Sequence, residues 1–123
     1  MNFLPPALQR RLGLALVVGI FLLLFGFGSL PASGHLVDPP WDKVVHCGVF
    51  AALAVGLRSL WPRLPWLLVI VLVVGVGAAD EWHQMFVPTR QPDWDDGLAD
   101  LCGAVVGLLA WRWSGLRRLF GAA

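Results

Sequence analysis

Charge is what this chain has least of. Charged residues make up 14% of its 123 residues and hydrophobic ones 58%, where water-soluble domains carry about 25% charged. A chain this short has too much surface for its volume to hide so much apolar material in water. That excludes an ordinary soluble enzyme, and intrinsic disorder with it. Hydroxyl nucleophiles are scarce too. Thr89 is the only threonine, and Ser29, Ser33, Ser59 and Ser114 stand apart from the acidic residues. There are two cysteines, and Cys47 directly follows His46. Adjacent helical side chains point about 100° apart, so a Cys–His dyad has little support. Cys47 and Cys102 would pair only in an oxidising compartment, and two buried apolar thiols are their more usual use. Neither HExxH nor CxxC is present, and no basic surface offers nucleic acid a footing. No cofactor, metal or nucleic-acid partner is therefore expected. A divalent ion would need several of Asp42, His46, Glu81, Asp96 and Asp100 to converge.

What is present is four apolar stretches. The first, Leu12 to Leu30, has 19 residues without a charge, and at about 1.5 Å per residue it reaches roughly 28 Å, a bilayer's hydrocarbon thickness. It exceeds the usual signal-peptide core of about 7–15 residues, so a retained helix is expected rather than a cleaved leader. The others run from Val44 to Leu57, from Leu64 to Val87 with Asp80 and Glu81 inside, and from Leu98 to Trp113 with Asp100 near its start. The connections are rich in proline, glycine and polar residues. Two-residue alternation is absent, which speaks against a β-barrel. The expectation is one all-α domain over residues 1–123, an integral membrane four-helix bundle. Its helices are placed at about 12–30, 42–61, 65–87 and 96–113, followed by a basic tail, 114–123.

With the N-terminus inside, Arg10, Arg11, Arg58, Arg63, Arg112, Arg117 and Arg118 share the cytoplasmic side. Lys43, Arg90, all eight acidic residues and all three histidines fall on the other. That asymmetry predicts cytoplasmic N- and C-termini. Tryptophan agrees: Trp41, Trp82 and Trp94 mark the outer interface, and Trp61, Trp66, Trp111 and Trp113 the inner one. The tail, with Arg117, Arg118, Leu119 and Phe120, is suited to anionic headgroups.

The tryptophans also set depth. His46 is 15 residues from Trp61, Asp80 is 14 from Trp66 and Asp100 is 11 from Trp111, or roughly 22, 21 and 17 Å of helix. Helices two to four thus bring polar groups to a shared depth below the outer boundary, and helix one brings none. An acid facing lipid there costs up to about 2.5–3.5 kcal/mol. Asp80, Glu81, Asp96 and Asp100 should therefore face one another, Lys43, Arg90 or water. Spacing supports a common face: Asp42 and His46, Asp80 and Gln84, and Asp96 and Asp100 are each i, i+4. Gly103-x-x-x-Gly107 continues the last stripe and admits a close helix neighbour. A polar pocket open to the outside is the implied object.

Asp42-Lys43-x-x-His46, then Glu81-x-x-Gln84 with Pro88-x-Arg90, then Asp96-x-x-x-Asp100-x-x-Gly103-x-x-x-Gly107 resemble, in order and spacing, the three motifs of the VanZ-like membrane protein family. The match runs from Asp42 to about Gly107. Asp100 stands where that family usually has asparagine, and Phe50 where it has tyrosine. The resemblance implies a bacterial inner-membrane protein and a link to the cell wall. The family takes its name from an accessory protein of glycopeptide resistance, tied to teicoplanin.

The leading reading is binding. Arg90 and Lys43 would hold the anionic part of a membrane lipid, a lipid-linked cell-wall precursor or a glycopeptide. Asp42, His46, Asp80, Glu81, Gln84, Asp96 and Asp100 would complete the site. A hydrolase or transferase using His46 and Glu81 as acid and base, with or without a metal, is the second reading. Ion- or proton-coupled transport is the third and wants a larger or homo-oligomeric fold. His83, beside Trp82, is expected at the interface. Asp38, Asp93 and Asp95 are expected to be solvated loop acids.

Overall fold

A computed structural model describes residues 4–113 and Gly115. The tail with Arg117, Arg118, Leu119 and Phe120 lies outside the described residues. Among those described there are four α-helices and no strand: α1 Pro6–Phe21, α2 Trp41–Leu60, α3 Trp66–Gln84 and α4 Asp96–Trp113.

Prolines set most of the ends. Pro6 opens α1 in the first turn, where its missing N–H costs nothing. The helix therefore starts six residues before the uncharged stretch and takes Arg10 and Arg11 into its body. Beyond Phe21 it continues as a wider π turn, Leu22–Gly26, and a tight 3-10 turn, Phe27–Ser29. Pro31 then stops it, with Leu30 held extended at φ −75°, ψ 133°. α3 ends at Gln84, short of the predicted Val87. Met85, Phe86 and Val87 instead donate to the carbonyls three residues back, and Pro88 pushes the chain out of helix.

Small residues set the packing. A Cβ on Gly13 would lie 2.8 Å from Ser59 Cβ, and one on Gly56 2.9 Å from Val17, so α1 and α2 run antiparallel at close range. A Cβ on Gly103 would lie 2.6 Å from the Cys47 carbonyl, and one on Gly107 would meet the Ala51 carbonyl. At the far end the Arg58 guanidinium lies 5.8 Å over the Trp111 ring. Hence α2 and α4 run side by side in the same direction. α3 runs the opposite way, its Gly77 facing Asp100, and just before its start the Leu64 carbonyl accepts from Arg58.

The interior is a short apolar core, with Phe50, Leu53, Ala54, Val69, Val73, Ala104 and Leu108 almost wholly buried. The outside is apolar as well: Leu14, Leu22, Leu67, Val71, Leu98 and Val106 are all at least half exposed. Apolar side chains facing outwards over whole helices mark a lipid-facing surface. Three segments, Pro6–Ser29, Trp41–Leu60 and Trp66–Gln84, are long and apolar enough to cross a membrane. α4 is not a fourth by that measure, because its 18 residues include Asp96, Asp100 and Arg112. The expected four helices are present; three of them meet that measure, and α4, with its three charges, packs against α2 and α3.

Candidate functional site

α2, α3 and α4 collect their acids and imidazoles at the end opposite Arg10, Arg11, Arg58 and Arg112. Three turns of sequence supply the cluster. On α2, Asp42, His46 and Phe50 form one stripe, with the His46 ring stacked on Phe50 at 5.8 Å. On α3, Asp80, Glu81 and Gln84 are 3%, 1% and 3% exposed. On α4, Asp96 and Asp100 are buried facing them. Gly77 is what lets Asp100 in, since a Cβ there would collide with its carboxylate.

Nearly every group in the cluster is tied. His46 Nδ1 lies 3.1 Å from Asp100 Oδ1, and its Nε2 lies 3.5 Å from Asp96 Oδ2. Gln84 donates from Nε2 to Asp80 Oδ2 at 2.8 Å. The backbone N–H of Asp93 donates to Glu81 Oε2 at 2.8 Å. The other oxygen of Glu81, Oε1, is sealed from solvent and has no hydrogen-bond partner among the described residues. One ligand-type atom from each of His46, Asp80 and Glu81 lies within 4.8 Å of the others. A second trio, Asp42, Asp93 and Asp96, meets the same spacing, but Lys43 already neutralises two of its members.

Lys43 bridges Asp93 Oδ2 and Asp96 Oδ1, at 2.5 Å each. It pairs with these two carboxylates and is not among the residues lining the cavity beside the cluster. One expectation changes here, that for Asp93. Asp93 is not a free loop acid: it pairs with Lys43, which holds its carboxyl below the usual range, and it anchors Glu81 through its backbone. Asp38 and Asp95 are exposed, as solvated loop acids are.

Beside the cluster lies a cavity of about 310 Å³. Its polar wall includes Asp42, His46, Asp80, Gln84, Arg90 and Asp96. Among the described lining residues Arg90 is the cation, and its Nη1 donates a long bond, 3.4 Å, to Ser33 Oγ. The lining also includes Leu23, Leu24 and Phe27 from the π and 3-10 continuation of α1. Helices two to four alone were expected to line a pocket; the first helix contributes its apolar side. No polar signal marked it, because its part is to present hydrocarbon. The loop residues Ser33, Gly34, Thr89 and Gln91 were missed as well. Gly34 packs on the Thr89 backbone, and Thr89 Oγ1 donates to the Pro31 carbonyl, which ties the two loops into a rim.

Other expected residues sit elsewhere. His83 faces the first segment, its Nε2 2.9 Å from Ser29 Oγ and its ring edge-on to Phe25. Cys47 and Cys102 are unpaired, and Cys102 is exposed on the outer face of α4 rather than buried, because Gly103 takes the packed position.

Comparison with known proteins places the chain. The family model described as VanZ/LLP1 matches residues 6–116, and the chain belongs to that family. No curated protein matches it, and no solved structure does.

Proposed function

We propose that this VanZ/LLP1 chain lies in the bacterial inner membrane with both termini cytoplasmic. Its cavity, opening to the outer side, then binds the headgroup of an anionic envelope lipid or lipid-linked cell-wall component. The observation that carries this reading is a cavity lining that joins a guanidinium and hydrogen-bonding groups to hydrocarbon. Arg90, whose planar fork suits phosphate, shares a space of about 310 Å³ with Asp80, Gln84 and Asp96. Leu23, Leu24 and Phe27 add an apolar lining suited to an acyl or polyprenyl chain.

The acids narrow the ligand. A bare phosphate would be repelled by Asp42, Asp80 and Asp96. A headgroup that adds hydroxyl or amide donors to its phosphate turns the same carboxylates into acceptors. Sugar phosphates on an apolar chain have that chemistry, and the family's link to the cell wall and to glycopeptides favours them over simple phospholipids.

Native mass spectrometry of gently purified protein tests this. The wild type should carry an anionic lipid, and Arg90→Ala should lose it. A hydrogen bond to a charged group is worth about 1.5–3 kcal/mol, so occupancy should fall about 10–100-fold. Equal retention in both proteins would remove Arg90 from the site.

A further inference from the structure

Outside the cavity's wall, the feature least explained by packing is the buried carboxylate of Glu81. It is 1% exposed, one of its oxygens has no partner, and its neighbours are more acids. Asp80, Glu81, Asp96 and Asp100 converge on His46, while the nearby Lys43 is shared between Asp96 and Asp93. So much negative charge away from water demands a further cation or protons.

We propose that His46, Asp80 and Glu81 form a binding site for a divalent first-row transition ion, with Asp96 at its edge. Each residue is already held in the manner of a ligand supported from behind. His46 Nδ1 lies 3.1 Å from Asp100 Oδ1; with the proton on Nδ1, Nε2 becomes the ligating nitrogen beside Asp96, as in carboxylate–histidine pairs behind bound metals. Gln84 fixes one oxygen of Asp80, and the Asp93 N–H fixes one oxygen of Glu81. Each carboxylate therefore keeps a second oxygen for an ion. Metal–ligand bonds to nitrogen and oxygen are about 2.0–2.2 Å. Three donors around a tetrahedral ion lie about 3.3–3.6 Å from one another, so the trio, within 4.8 Å, draws together by up to about an ångström to close on one. One imidazole with carboxylates favours zinc or manganese over calcium and magnesium. The adjoining cavity gives the ion a path in, since His46 and Asp80 also line it.

The site does not depend on what else enters the cavity, so the metal alone tests it. Chelator-treated protein in detergent, titrated with zinc or manganese, should take up one equivalent by calorimetry and elemental analysis. It should also gain thermal stability on doing so. Glu81→Gln should abolish uptake while the metal-free protein melts no lower than wild type, because a buried charge has been removed. Asp100→Ala should weaken binding about 10–100-fold, as loss of support behind a ligand does. Asp100→Asn, which keeps an acceptor for the imidazole N–H, should restore it. Asp42→Asn should leave it intact. No uptake by wild type, uptake unchanged in Glu81→Gln, or uptake lost only in Asp42→Asn would each overturn the assignment. The last outcome would move the ion to the Asp42, Asp93 and Asp96 trio.

Discussion

Lys43 shows how much one residue organises at the polar end. It is the chain's only lysine, and it joins a half-exposed acid, Asp93, to a nearly buried one, Asp96. The two contacts are worth different amounts. Asp93 is screened by water, so its pairing stabilises little; Asp96 has no such screen. Lys43→Met should therefore cost about 1–3 kcal/mol in thermal unfolding, chiefly by leaving Asp96 unpaired. Lys43→Met with Asp96→Asn should recover most of it. The Asp93 pairing has a pH signature of fixed sign. Its carboxyl is held low in the folded protein, so its contribution is complete above the ordinary aspartate value of about 3.9. It disappears as pH falls through the lowered value. The difference in melting temperature between wild type and Asp93→Asn should stay constant from neutral pH down to about 4 and shrink below it. A difference that grew on acidification would reverse the assignment. The pairing itself was not legible in the sequence, because Lys43 and Asp93 are 50 residues apart and neither spacing nor periodicity links them.

The elements were legible where their signal is local and obscure where it is shared. Four helices and an all-α fold follow from long apolar runs divided by proline and glycine, and such runs are read without knowing any neighbour. The start of α1 is harder, because hydropathy counts Arg10 and Arg11 against the helix while Pro6 and a good helix-forming sequence extend it. The role of Gly77 is harder still. Gly75 and Gly77 stand two apart in the same valine-rich stretch, yet only Gly77 faces another element. Their substitutions should therefore differ. Gly77→Ala drives a methyl into the Asp100 carboxylate, and Gly107→Ala drives one into the Ala51 carbonyl. Each should cost about 1–3 kcal/mol as overpacking. Gly75→Ala meets nothing within 4 Å and should gain up to about 0.5–1 kcal/mol through helix propensity. Thermal unfolding of the three variants in one detergent checks the contrast. A loss at Gly75 equal to that at Gly77 would mean that Gly75 packs against something the single chain does not contain, such as a second copy.

At the scale of the whole molecule, the distribution of charge makes α4 depend on the rest. Three segments can enter a bilayer on their own apolarity. α4 carries Asp96 and Asp100 within its first two turns, and each acid facing lipid near the middle of a span costs about 2.5–3.5 kcal/mol, less toward its ends. In the folded chain neither acid faces lipid: Lys43 and His46 on α2 receive them, and Gly77 on α3 makes the room. The glycines at 103 and 107 then hold α4 against α2. α4 should therefore insert poorly as an isolated segment and well in the full chain. An insertion reporter fused after residue 113 reads this directly. Alone, α4 should stay largely untranslocated, and Asp96→Asn with Asp100→Asn should restore insertion. In the full chain the same reporter should be cytoplasmic, matching one placed at the N-terminus, because Arg10, Arg11, Arg58, Arg63 and Arg112 share that side. Lys43→Met should leave α4 and the reporter on the outer side in a fraction of chains, even with α1 to α3 in place. If α4 alone inserted as well as the full chain, its acids would have to be satisfied within the helix itself. The partnership with Lys43 and His46 would then be a consequence of folding rather than a condition for it.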